Sequence, residues 1–592
     1  MHCKAAPGPV TAALAKSARL GIYMVTCASV LSGCQPSLPP RGGEVVAEQS
    51  VRPERVLVVG VRVEPSNIVV KPLINVAVKL KTSTRLFNAA LDLIDGDGNP
   101  QPYLAEALPQ LNTETWKVLA DGKMETTYRL KTGLVWHDGS PLTAEDFVFS
   151  WRVYSTAEIT AASSAPQGFM NDVSAPDPRT IVIRWSQLYP GAGVLQDPGN
   201  GSTFPPLAAH VLQAPYDEAA ASGAWEAFTA HPYWTRDFVG AGPYRLERWE
   251  PGASFDAIAF DRHILGAPKI QRVRVLFLSD ANTALTNLLS GGIDMAADTA
   301  VGFSQGVQAK RSWAESDAGR LLVTPDLWHA AYFQFRPELV SPPALLDVNV
   351  RRAIAHAIDK QGLNAFLYEG EGIVAETFIA PGVSSFAAID RAVAKYPYDL
   401  RRSEQLMNQA GFVRGSDGTY AGVEGRFTLE LKVSGSPQNE SARSVMASGL
   451  RQAGFDIQET SLPASQAQDG QARANYPGLF PTNTTVGETA LRNFTTTSIP
   501  TPANRWTGNN RGGWFNPGYT SLVAAYNSTL DSNERVQQLT QLTQLVADEL
   551  PAISMHYDLG AVAYVAALRG PGQVAPDTSG SVAWNIHEWE FR

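Results

Sequence analysis

Sulfur is the scarcest chemistry in this chain. Its 592 residues hold three cysteines, Cys3, Cys27 and Cys34, all in the first 34 positions. The rest therefore has no disulfide framework, no cysteine zinc site and no thiol nucleophile. Charge is thin as well: 18% of residues are charged, no long run of one sign occurs, and the net charge is −9. That balance argues against nucleic-acid binding as the main role. After the first 34 residues no stretch approaches 18 uninterrupted apolar residues, so the body is expected to be soluble.

Catalytic signatures are missing too. There is no G-x-x-x-x-G-K-[ST] loop to cradle phosphates, so LLSGGID at 288–294, which looks like a transporter-ATPase signature, is read as a helix stopped by Gly291 and Gly292. HEWEF at 587–591 lacks the second histidine of a zinc protease motif, and G-x-S-x-G does not occur. The nine histidines are scattered singly, and His356 falls inside an amphipathic helical pattern, where a structural role is expected. Carboxylates are plentiful, but no pair stands out. DGDGNP at 95–100 places Asp95, Asp97, Asn99 and Glu106 at calcium-loop spacing. Position six, however, is Pro100 where that loop needs glycine. A plain Asp/Gly turn is the expectation. No metal site and no cofactor are expected, and an enzyme is the weaker class.

What the chain has is apolar mass: 44% hydrophobic residues, including 13 Trp, 18 Tyr and 23 Phe, over a length that exceeds one ordinary core. Two or more lobes follow. At the N-terminus Lys16 and Arg19 precede LGIYMVTCASVLSG, an apolar run of signal-peptide length that ends in Leu31-Ser32-Gly33 before Cys34. This resembles the bacterial lipobox, which implies lipidation of Cys34 and firm membrane attachment through several acyl chains. The alternative is an ordinary signal peptide with a chance cysteine. Residues 35–54, rich in Pro, Gly and charge, read as a flexible tether.

Folding is expected from Arg55. RVLVVGVRV reads as a buried strand; Thr126, Tyr128 and Leu130 alternate with polar neighbours as in a strand with one wet face. WHDG at 136–139 makes a turn, and Thr143 to Asp146 looks like a capping box for a helix whose Phe147, Trp151 and Tyr154 share a face. His137 has no partner pattern of a base or metal ligand. Further strands at 181–185, 272–278 and 427–433 lie between helical stretches, among them 350–360 and 535–550, the latter ended by Pro551. The alternation predicts α/β lobes. The segment 481–518 is long, polar and weakly periodic, a composition more often functional than idle.

Ordered blocks of this sequence resemble the oligopeptide/dipeptide-type (family 5) substrate-binding lipoproteins of bacterial ABC importers. They are LFNAALDLIDGDGNPQPYLAEALP, YRLKTGLVWHDGSPLTAEDFVFSW, GAGPYRLERWEPG, KIQRVRVLFLSDANTALTNLLSGGIDM, LDVNVRRAIAHAIDK, YPYDLRRSEQLMNQAGF and ELPAISMHYD. Together they span nearly all of 55–592. The resemblance implies a two-lobe periplasmic-binding-protein fold, a Venus-flytrap clamp, with an extra subdomain on lobe one. Lobe one would combine 55–100, 228–328 and 553–592, the subdomain 101–227 and lobe two 329–552, after a signal peptide at 1–34. Crossings near 328–332 and 555–557 would form the hinge.

The function implied is capture of a peptide or similar small solute and its delivery to an ABC permease, by a monomer anchored in the periplasm or at the cell surface. The alternatives are a tethered sensor or chaperone-like receptor, or a secreted hydrolase. The resemblance nominates Glu64, in VEPSN at the end of the first strand, as facing the cleft. Trp328 and Tyr332 share a strand face in the hinge run, and Tyr557 lies in the second crossing. Phe480, Trp506 and Trp514 are further aromatic candidates; the alternative for each aromatic is core packing. Peptide-binding members carry a lobe-two aspartate for the ligand's α-ammonium, whereas LFPTNTTVGETALRN has Thr and Asn where that acid is expected. Between Gly470 and Leu530 the only acid is Glu488, against Arg473, Arg492, Arg505 and Arg511. Glu488 and Arg505 therefore join the ligand candidates, and the ligand is a peptide recognised through Glu488, an anion, a sugar-like solute or another small molecule.

Overall fold

Ten strands, drawn from both ends and the middle of the chain, form one mixed sheet. The structure is a computed structural model that describes residues 55–71, 73, 80–197, 202–576 and 580–592. The expectations for Cys34, the signal peptide and the tether lie outside the described residues. The strands are β1 (Leu57–Val61), β2 (Tyr244–Glu250), β3 (Ser254–Ala259), β4 (Arg272–Phe277), β5 (Met295–Ala296), β6 (Gly319–Phe333), β7 (Thr428–Ser434), β8 (Asp456–Leu462), β9 (Leu479–Thr485) and β10 (Ala552–Val565). Their spatial order is β2-β3-β4-β1-β5-β10-β6-β9-β7-β8.

Two strands join the halves of this sheet. The β6 and β10 strands, 15 and 14 residues long, pair antiparallel along most of their length. At one end β10 pairs with β5; at the other β6 pairs with β9. The ladder shifts register between Pro325 and Leu327 and again between His329 and Ala330. Such irregularities bend and twist a strand, so the β6–β10 ribbon is bent where one half of the molecule gives way to the other.

Both faces of each half are covered. The largest core runs from Leu57 and Val59 through Tyr128, Trp136 and Phe147 to Trp589, so the segment 101–227 shares its core with the first half of the sheet. The other face of that half packs against α2 (Ala281–Ser290) and α3 (Phe303–Ser312) through Leu285, Leu288, Ala309 and Trp313. Beyond the bend, one face covers Val350 and Ile354 of α4 (Val348–Ala357), and the other covers Leu539, Leu542 and Val546 of α6 (Ser532–Glu549). The α5 helix (Lys360–Tyr368) follows α4 after a break at Ile358. Among the described residues no helix is long and apolar enough to cross a membrane.

Local readings of the sequence appear as elements. Thr126, Tyr128 and Leu130 are buried, while Thr127 and Arg129 are not. The α1 helix (Ala144–Tyr154) opens with the Thr143 N–H donating to the Asp146 carboxylate at 2.8 Å. Asp95 accepts the Asp97 and Asn99 N–H groups, which makes the DGDGNP stretch an Asx turn. Gly291, at φ 79°, ends α2 in the left-handed conformation that favours glycine.

Candidate functional site

The bent ribbon gives the molecule two chemically different faces. Side chains alternate along a strand, so Trp328, Ala330 and Tyr332 of β6 point one way, and His329, Ala331 and Phe333 the other. Neighbouring strands continue each face through their register. Trp328 sits opposite Thr484 of β9 and Tyr557 of β10; Tyr332 sits opposite Phe480. His329 sits opposite Asn483 and His556, and Asp558 lies opposite Leu327 on that same side.

The first face is aromatic. Trp328, Tyr332, Phe480, Trp514 and Tyr557, all candidates from the sequence, fall into one buried cluster with at most 3% of each side chain exposed. Tyr332 stacks on Phe494 at 5.9 Å, and Trp328 meets Tyr332, Phe378 and Phe494 edge-on. The Tyr557 hydroxyl lies 2.8 and 2.7 Å from the carbonyls of Thr377 and Ile379, and the Trp514 indole donates to Glu549. These side chains pack as core in this conformation. One polar atom among them is left over: the buried Trp328 Nε1–H has no acceptor among the described residues, an arrangement that costs free energy unless a partner arrives.

The polar segment lies beside this face. A chain of 3-10 turns at Gly487–Phe494, Thr496–Ser498 and Pro502–Asn504 is tied together by the buried Asn510. Its amide donates to the carbonyls of Phe494, Thr495 and Trp514 and accepts the Trp514 N–H. Arg505 and Trp506 both adopt left-handed backbone angles, φ 53° and 61°, which cost non-glycine residues energy and cluster at functional sites. Arg505 is exposed and Trp506 half-buried. Arg511 is buried, donates to the Asn509 side chain, and is pushed down to about 10 by desolvation and by the neighbouring Arg473. Among the described residues neither Arg473 nor Arg511 is paired with a carboxylate, and Arg473 Nε is buried without a partner.

The remaining sequence candidates lie apart. Glu64 accepts the Trp249 indole N–H at 2.7 Å and the Gly252 N–H at 2.8 Å, which commits both its oxygens to the β2–β3 hairpin. Glu488, on the Gly487–Phe494 turn, pairs with Arg535 of α6 at 3.0 Å. His137 is held on both ring nitrogens by main chain: Nδ1 accepts the Gly240 N–H and Nε2 donates to the Gly242 carbonyl. Burial lowers its pKa to about 4. It is a neutral strut between the WHDG turn and the chain at 240–242.

The second face is polar, and sequence reading missed it. The rings of His329 and His556 stack 4.6 Å apart beside the Asp558 carboxylate. Tyr368, at the end of α5, donates to Asp558 Oδ1 at 3.1 Å, and the Asn483 amide donates to Oδ2 at 2.9 Å. His556 and Asp558 stand two apart in a strand, so their shared face was readable. Their partner His329 comes from a distant strand, and only the register brings it there.

Comparison with known proteins places this geometry. The model of the family described as bacterial extracellular solute-binding proteins, family 5, matches residues 106–498. A Brucella ovis protein named as a peptide-binding protein of an ABC transporter is 24% identical over 49% of this chain and 50% of its own. The match thus spans about half the length of that relative. The dipeptide-binding protein of Escherichia coli is 24% identical over 76% of this chain and 80% of its own. Among solved structures, the oligopeptide-binding protein of Thermus thermophilus, complexed with a pentapeptide, superposes with a TM-score of 0.64 at 22% identity. That alignment covers 91% of this chain and 96% of the other.

Proposed function

The chain belongs to the bacterial extracellular solute-binding proteins of family 5, and from that premise we propose that it captures a peptide or similar small solute between two lobes and delivers it to an ABC import permease. The observation that carries this reading is the β6–β10 ribbon, two long strands with two register shifts where the halves of the sheet meet. A ligand that touches both lobes binds the closed form better and shifts the population towards it. The lobes proposed from the sequence would divide at 328, within β6, and at 552, where β10 begins. Lipidation at Cys34 would keep the receptor near its permease, at the periplasmic or outer face of a bacterial membrane.

The end of the solute held by lobe two is anionic. A buried guanidinium without a counter-charge is costly; Arg473, on the turn at Gly470–Ala474, neighbours Arg511 of the polar segment, and neither is paired with a carboxylate among the described residues. Arg505, exposed, and Trp506, half-buried, are further candidates on the neighbouring turn. Mass spectrometry of solute retained on the purified protein tests the proposal. A retained peptide or other acid-bearing solute is expected, together with an upward melting shift when it is added back and no turnover. Product formation, or an unshifted melt across peptide, sugar and amino-acid libraries, would count against it.

A further inference from the structure

We propose that His329, His556 and Asp558 form a binding site for one divalent transition-metal ion on the histidine face of the ribbon. The separations carry the argument. His556 Nε2 lies 3.4 Å and His329 Nδ1 3.7 Å from Asp558 Oδ1, and the three ligand atoms all lie within 4.8 Å of one another. Metal–ligand bonds of about 2.0–2.2 Å put adjacent donors of a tetrahedral or octahedral site roughly 3–3.5 Å apart. Both histidine–aspartate separations are within ion-pair range and longer than a good hydrogen bond.

The surroundings suit a ligand set. All three residues stand on adjacent paired strands, which hold side chains more firmly than loops do. Tyr368 and Asn483 orient the carboxylate from outside, as second partners of metal ligands do. His329 and Asp558 keep 17% and 28% of their side chains exposed, enough to admit an ion and leave outer positions to water. Two imidazoles with one carboxylate select zinc, nickel, cobalt or copper over calcium or magnesium. The site is independent of which solute the lobes capture.

The experiment uses the full chain without a polyhistidine tag, stripped with a chelator and titrated calorimetrically with Zn²⁺, Ni²⁺ and Ca²⁺. One Zn²⁺ or Ni²⁺ per chain is expected, with no Ca²⁺ binding. Each of His329→Gln, His556→Gln and Asp558→Asn should weaken binding roughly tenfold or more, while His356→Gln leaves it unchanged. Absence of stoichiometric binding, or binding that survives all three substitutions, overturns the proposal. His556 is buried and its replacement can impair folding. X-ray absorption on zinc-loaded wild-type protein gives an independent readout: two imidazole shells support the site, and none refutes it.

Discussion

At the scale of single residues, the chemistry is set by what surrounds each side chain. His137 and His263 are both buried as neutral imidazoles, lowered from 6.5 to about 4 and about 3 by desolvation. The unfolded chain binds protons on these groups that the folded chain refuses. Their stabilising effect is therefore complete above about pH 6.5 and falls away as the pH drops towards the folded values, by roughly 1.4 kcal/mol per pH unit per group. Urea melts between pH 7 and 4.5 should show this slope, and His137→Gln should reduce it while leaving solute binding nearly intact. Impaired binding in the folded variant would return His137 to the functional site. Arg473 predicts a different signature. With Arg511 beside it, Arg473→Gln removes like-charge repulsion, so the melting temperature should hold or rise. Affinity for an anionic solute should fall by about tenfold, the loss of one charged hydrogen bond. A lower melting temperature with unchanged affinity would make Arg473 structural.

At the scale of elements, one side chain organises the polar segment. Asn510 makes four hydrogen bonds to main chain that no helix or strand ladder satisfies. Close packing tightens the same turn: a Cβ at Gly508 would run into the Ser498 carbonyl. Asn510→Ala should cost about 2–4 kcal/mol by leaving buried groups unpaired and should raise amide exchange across 494–514 well before the ribbon opens. Uniform exchange throughout lobe two would mean that the segment does not unfold as a unit.

At the scale of the molecule, the prediction is closure. Solute at about 100 times its dissociation constant stabilises the folded state by about 2.7 kcal/mol, and small-angle scattering should record a smaller radius of gyration. Stabilisation without compaction would leave binding intact and remove the clamp. Lobe-to-lobe contacts near the ribbon, Phe303 of α3 against Tyr368 of α5 and the pairs Lys310–Glu371 and Arg311–Glu369, bear on that motion. The two ion pairs are exposed and screened by solvent, so they bias closure without locking it.

The sequence by itself determined the local elements and the family. Strand alternation at 124–130, the cap at Thr143, the glycine stop at Gly291 and the Asx turn at Asp95 each depend on near neighbours, whose spacing is written in the chain. Ordered blocks made the family legible for the same reason. Tertiary structure alone decided which faces those elements turn to one another. It buried Trp328, Tyr332, Phe480, Trp514 and Tyr557 together, gave Glu64 to a hairpin, and left Arg473 and Arg511 without an acid among the described residues. It also brought His329 against His556 and Asp558. Those outcomes depend on strand register between segments far apart in sequence, where a slip of one residue exchanges every side chain for its neighbour on the opposite face.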